Sequence, residues 1–477
     1  MKNKFFSLVA LLLTLFILAG CTQGITNDGP SKETEGTTEP TPTSDTALNG
    51  VDISKYTIVY SGNELDYNKR AAQYISDTVK EITSIELPVK KDSSEKAEYE
   101  IVVGQTNRAI SEKLDADTEK TQFAILADDN SIALEADYFV IAAAAYFFVD
   151  TYITGEKFNS EVPKETKIHN PIVEETKNVI FLIGDGMGPY QTRLFETMTI
   201  PSENNYSDNE DIFYGYLLPY QCSANTASLS GVTDSAAAAT ALACGYKTIN
   251  RYIGMDKDQN KVQSLTELAA SLGKSTAVMS TEASTGATPG GFSAHVNDRG
   301  LSSMIKMDQR NLTLKHQTIV DCEYNFYTID GVRQIESKVV STLDKLDDNE
   351  NGFFLMYEEA YIDKHSHANN IDETFKALIR FNQVIARFME YAFYHPDTFV
   401  LITADHETGD LKPDKNGVFT YNSPNHSGAN VPVFAYGKDA KVFNDKLIDN
   451  VQIPKTIASI FGTDDFGDPI RKPSLKK

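Results

Sequence analysis

The sequence contains no tryptophan, only four cysteines, and far fewer basic than acidic side chains: 44 Lys and Arg against 67 Asp and Glu in 477 residues, for a formal net charge of −23. Each shortage excludes something. A surface this acidic repels polyphosphate backbones, which argues against a nucleic-acid binder. Four cysteines cannot build a disulfide-rich scaffold, and their spacing lacks the close pairs of a structural zinc site, so Cys222, Cys244 and Cys322 read as buried free thiols. The apolar run Phe5–Ala19 reaches only about 22 Å as a helix, short of a bilayer core of ~30 Å. What the chain does have is 41% hydrophobic and 10% aromatic residues. That is enough to bury large cores without tryptophan, so the chain is not globally disordered. At about 150 residues per domain, its length suggests two or three units.

Lys2 and Lys4 precede the apolar run, and Leu18-Ala19-Gly20-Cys21 ends it. The pattern resembles the lipobox of bacterial lipoproteins. It implies a signal peptide at 1–20, lipidation of Cys21, and a protein anchored on the outer face of the cell membrane. Residues 21–50 are rich in Thr, Pro, Gly, Glu and Asp and read as a flexible tether reaching roughly 30 Å. From Val51 the pattern changes. Tyr56–Tyr60 and Tyr99–Val103 read as strands, with Ala71, Ile75, Val79 and Ile82 at helical spacing between them. Alternating apolar residues on either side of Ala127-Asp128-Asp129-Asn130 predict a hairpin, and Phe139–Val149 predicts a buried helix. Residues 51–153 are therefore expected to form a small α+β domain, similar to the non-catalytic domain preceding the barrel in some bacterial glycoside hydrolases. The polar stretch 154–176, with Pro163 and Pro171, reads as a connector.

Beyond residue 177 the expected class is α/β. Val179–Ile183, Ser275–Ser280, Phe353–Tyr357, Phe399–Thr403 and Val431–Tyr436 read as buried strands, with helices near Ser264–Leu272 and Ile371–Tyr394. The alternation predicts a mostly parallel sheet covered on both faces, with its sites at the carboxyl ends of the strands. Chemistry-bearing residues recur there. Asp185 follows the first strand, Glu358, Asp363 and His367 follow another, Asp405 and His406 a third, and His426 precedes Val431. Taken singly, each is an ordinary loop carboxylate or surface histidine. Together, oxygen and nitrogen ligands without cysteine suit zinc, magnesium or manganese at a hydrolytic centre. Ser235 opens an alanine-rich helix that stops near Gly245. Alone it reads as an N-cap; beside divalent metals its hydroxyl becomes a nucleophile.

In order and type, six motifs resemble the alkaline phosphatase family: Gly184–Gly188, Thr233–Ala237, Ala287 through Arg299, Glu358–His367, Ala404–Gly409 and His426–Gly428. The resemblance spans about Asn178 to Gly437. It implies that Ser235 takes up the phosphoryl group of a small phosphate monoester. It further implies two Zn2+, one held by Asp363, His367 and His426 and the other by Asp185, Asp405 and His406. One Mg2+ would be held by Asp185, Thr288 and Glu358. Arg299 would clamp phosphate oxygens, and Lys364 matches a lysine that some bacterial members place beside the phosphate.

Two departures qualify this. Gly286 stands two residues before Thr288, where family members commonly carry an Asp or His that organises the magnesium waters. Glycine offers no ligand, so weak magnesium occupancy is expected. Nineteen residues separate His406 from His426, too few for the surface domain that helps many relatives dimerise, so the oligomeric state stays open. Glu359 adjoins Glu358, and the choice of Glu358 rests on its spacing from Asp363. The alternatives are a phosphodiesterase or sulfatase on the same scaffold, or a non-catalytic glycan-binding surface lipoprotein. Ser235 with Arg299 favours the monoesterase, and an intact ligand set disfavours a non-catalytic role.

Overall fold

The computed structural model describes residues 46–62, 67–114, 118–154, 158, 161–198, 212–323 and 329–467, excepting the side chains of 329–333. The expected signal peptide, Cys21 and most of the tether lie outside the described residues. Among the described residues, no helix is long and apolar enough to cross a membrane.

The larger sheet has eight strands, in the order 319–322, 275–280, 353–359, 178–184, 398–403, 431–436, 220–225 and 447–449. The first five run parallel. Val431–Tyr436 is antiparallel to both its neighbours. Asn178–Gly184 and Phe353–Glu359 are buried along their whole length, as strands covered on both faces must be. Because these strands share one direction, their carboxyl ends lie along one edge, and that edge receives Asp185, Glu358, Asp405 and His406.

The helix Ile371–Tyr394 forms where its periodicity predicts. Asn370 caps it by accepting from the Glu373 N–H at 3.2 Å, and Asp372 and Glu373 complement the dipole in its first turn. It is buried along most of its length because it is packed on both sides, and its buried polar residues Arg380, Asn382 and Glu390 each find a partner. Toward the sheet, Phe381 stacks on Tyr357, and Arg380 pairs with Glu359 through Nε at 2.7 Å and through Nη2. Away from it, Tyr394 stacks on Tyr74, Phe393 on Phe139, and Glu390 accepts from Arg70 at 2.7 Å.

Those last partners belong to the amino-terminal domain, whose six-stranded sheet runs 89–91, 56–60, 99–103, 131–135, 123–127, 167–169. The first four strands are parallel, and the predicted hairpin forms with Ala127 opposite Ile132. Two boundaries differ from expectation. The folded chain includes the strand Ala47–Leu48, with Leu48 buried, inside the stretch read as tether. Lys167–His169, inside the expected connector, is an edge strand paired with Phe123–Ile125. An edge strand needs no alternation of its own: Ile168 is exposed, and only His169 turns inward, against Phe147. One continuous apolar cluster joins Ile58 and Ile101 of this domain to Val179 and Ile180 of the larger sheet.

Arg380 and Glu359 are 4% and 0% exposed. Removing one member of such a pair leaves an uncompensated buried charge. Arg380→Ala should destabilise the protein by about 3–5 kcal/mol in urea denaturation; a loss under about 1 kcal/mol would contradict the assignment.

Candidate active site

Ser235 is the first residue of the helix Ser235–Cys244, and its N-cap is Asp234, whose carboxylate accepts from the Ala237 N–H at 3.0 Å. The capping role that a serine here could have filled is thus taken by its neighbour, which leaves the Ser235 hydroxyl free. It lies 3.1 Å from His406 Nε2. The same nitrogen is 3.2 Å from Asp405 Oδ2 and 3.5 Å from Asp185 Oδ1. Both carboxylate oxygens are buried without a hydrogen-bond partner.

A second nest adjoins the first. His367 Nε2 and His426 Nε2 are 3.1 Å apart and lie 3.3 and 3.6 Å from Asp363 Oδ1. The His406 and His426 rings stack at 3.6 Å, so the two nests share a wall. Gly186 makes this approach possible: its φ is +72°, and a Cβ there would stand 2.9 Å from Asp363 Cα.

The outer nitrogens reveal what the inner ones offer. His367 Nδ1 faces the Pro424 carbonyl at 2.6 Å, and His426 Nδ1 faces the Thr233 carbonyl at 2.9 Å. A carbonyl only accepts, so each Nδ1 must carry the proton. His406 Nδ1 faces Thr408 Oγ1 at 3.2 Å, and that hydroxyl already donates to Asp363. In the neutral imidazoles all three Nε2 atoms then turn lone pairs toward carboxylates, the tautomer that metal-ligating histidines adopt. Lone pairs and carboxylates 3.1 to 3.6 Å apart repel unless a cation lies among them. The donor set of each nest fits a divalent transition metal such as zinc.

A third group contains oxygen only. Thr288 and Glu358 are fully buried, and neither Thr288 Oγ1 nor Glu358 Oε1 has a hydrogen-bond partner, although the two side chains lie close enough to influence one another. Oxygen donors suit a hard cation such as magnesium. Glu359 points the other way, to Arg380 and the Thr281 hydroxyl, which leaves Glu358 as the carboxylate facing the site. Arg299 reaches Asp234 at 3.3 Å, so its guanidinium lies beside the start of the helix that Ser235 opens. Lys364 pairs with Glu282 at 2.9 Å. Glu282, which carries no motif, was not among the residues that the sequence singled out.

Residues 176–332 and 332–422 match the family model described as alkaline phosphatase. The chain belongs to the alkaline phosphatase family. This is a family of enzymes. Alkaline phosphatase 4 of Bacillus subtilis is 29% identical over 301 residues, covering 51% of this chain and 64% of the relative. Alkaline phosphatase 3 of the same organism is 27% identical over 335 residues, covering 60% and 71%. Among solved structures, the alkaline phosphatase of the Antarctic bacterium TAB5 is similar with a TM-score of 0.52 and 25% identity, over 62% of this chain and all of that one. A variant of that enzyme, solved with magnesium in its M3 site, has a TM-score of 0.51 at 24% identity over the same shares.

Crowding shows in the acidities. Burial, then the charge of Asp363, pushes the Asp405 carboxyl up to about 7. Burial, then Asp405, Asp363, Glu358 and Glu282, raises Asp185 well above the usual range. Burial and the positive neighbours His426, His367 and Arg299 push His406 well below its ordinary value. In metal-free protein, a carboxyl raised on folding stabilises fully below its unfolded value near about 4, and that contribution is lost as pH rises through about 7. Three raised carboxyls, Asp185, Glu358 and Asp405, outnumber the one lowered imidazole, His406, whose opposite contribution is complete by about pH 6.5, so calorimetry should show the melting temperature of chelator-treated protein falling between about pH 4 and 7, with the stabilisation by added zinc growing over the same interval. A melting temperature of metal-free protein that climbs across this window would contradict the carboxylate crowding.

Proposed function

We propose that the protein is an extracytoplasmic phosphomonoesterase, anchored through lipidated Cys21, that releases inorganic phosphate from small phosphate monoesters by way of a phosphoserine on Ser235. The observation that carries this reading is the Ser235 hydroxyl, not used as a helix cap and 3.1 Å from His406 Nε2, at the meeting of two nests of imidazole nitrogens and buried carboxylates. Asp363, His367 and His426 would hold one zinc and Asp185, Asp405 and His406 the other, with magnesium at Asp185, Thr288 and Glu358. Divalent cations held there would lower the pKa of the serine hydroxyl and neutralise charge on the transferring phosphoryl group.

The chain's own residues do the rest. Ser235 Oγ, its proton given up to solvent water, forms a bond to phosphorus as the ester P–O bond breaks; the leaving oxygen keeps that electron pair and takes a proton back from water, so the alcohol departs neutral. A water oxygen then attacks phosphorus, the Oγ–P bond breaks, and inorganic phosphate departs. Arg299, steadied by Asp234, presents a planar fork to two phosphate oxygens. Because only the phosphoryl group is gripped, the organic part of the substrate is read loosely.

Hydrolysis of a chromogenic phosphate monoester, compared with its diester and sulfate analogues, tests the reading. The monoester should be preferred, chelator should abolish turnover, and Ser235→Ala should lower kcat/KM by roughly 10³-fold or more, about 4 kcal/mol of transition-state stabilisation. Preference for the diester or sulfate would move the protein to the alternative hydrolase class. Chelator-insensitive turnover, or a fully active Ser235→Ala, would sink the mechanism.

A further inference from the structure

Gly286 precedes the short helix Ala287–Gly291 with φ −57° and ψ 164°, angles open to any residue. Its backbone therefore does not require glycine; the space around it does. A Cβ built on Gly286 would stand 1.7 Å from Glu282 Oε1 and 2.3 Å from Glu282 Cδ. The volume that a side chain at 286 would fill is already filled by a carboxylate from four residues earlier in the chain.

That carboxylate lies near enough to the oxygen-only group for its charge to act on both Glu358 and Asp185. The Glu282 N–H donates to Ser280 Oγ at 3.0 Å, and the Ser280 hydroxyl donates to Glu358 Oε2 at 2.5 Å. After burial, the charge of Glu282 is the largest influence raising the Glu358 carboxyl. Its other oxygen, Oε2, holds Lys364 Nζ at 2.9 Å. Glu358 Oε1 and Thr288 Oγ1, both fully buried, stay without a hydrogen-bond partner beside it. Burial works against the charge of Lys364, but Glu282 outweighs it and leaves that ammonium more firmly protonated than usual.

We infer that Glu282 supplies the third metal site with the carboxylate that position 286 lacks, occupying the space of the missing Cβ, and that its second oxygen holds Lys364 in place beside the phosphate site. Glu282 is thus a positioning residue, and glycine at 286 is the condition for its reach. This rests on the reading of Thr288, Glu358 and Asp185 as a magnesium site, and it reverses the expectation of weak occupancy drawn from Gly286 alone.

The test compares the full chain, Glu282→Gln, and a relocation variant that joins Glu282→Ala to Gly286→Asp. Each is loaded with zinc, dialysed against magnesium-free buffer and titrated calorimetrically with Mg2+, with zinc and magnesium content measured in the same samples. The unaltered protein should retain one magnesium and two zincs per chain. Glu282→Gln should weaken magnesium binding by about 10–100-fold, as loss of an orienting partner does, with zinc content unchanged. Returning the carboxylate at 286 should recover most of that affinity, which a purely structural role for Glu282 would not allow. Magnesium binding that is unaltered in Glu282→Gln, or unrecovered in the relocation variant, overturns the inference. An unaltered protein that keeps two zincs and takes no magnesium also overturns it, and leaves the zinc-dependent phosphoserine reading standing.

Discussion

The structure depends on a repulsion. Asp185, Glu358, Asp363 and Asp405 are brought to one edge of a sheet, each at most 7% exposed, where water cannot screen their charges. Without compensation some must take up protons, as the raised pKa values of Asp185, Glu358 and Asp405 express. Divalent cations resolve the conflict outright, and the three histidines are already tautomerically set for them by Pro424, Thr233 and Thr408. Folding and metal binding are therefore two halves of one electrostatic balance.

The architecture is what forces the carboxylates together. Parallel strands place every carboxyl end on one edge, and the helix Ile371–Tyr394 clamps that edge from behind through Arg380 and Glu359. The opposite face of the same helix is covered by the amino-terminal domain through Arg70, Tyr74 and Phe139. The amino-terminal domain thus helps bury the helix on which the site leans.

Much of this was legible residue by residue. The strands 275–280 and 431–436 and the helix 371–394 emerged with the expected limits because long apolar runs and strong periodicity leave little choice. Strand-end carboxylates and imidazoles stood out because turns after buried strands seldom carry so many. The edge strand at 167–169 was hidden because its side chains are mostly exposed and carry no burial pattern. Three decisions at the site were also beyond periodicity: whether Ser235 or Asp234 caps its helix, whether Glu358 or Glu359 faces the site, and what fills the gap at Gly286. Each turns on a partner distant in sequence or on backbone geometry at one residue.

The sequence by itself determined the inventory: an acidic chain with a lipobox-like start, buried strands ending in Asp, Glu and His, and a serine opening an alanine helix. Local chemistry suffices for that, since ligand types, turn formers and hydrophobic period are properties of neighbouring residues. Only the tertiary structure decided assignment: which oxygen points inward, which nitrogen keeps its lone pair, and that Glu282 stands where residue 286 could not. Those are properties of distances of 3 to 4 Å between atoms from different strands, and the chain order does not encode them until the sheet aligns its ends.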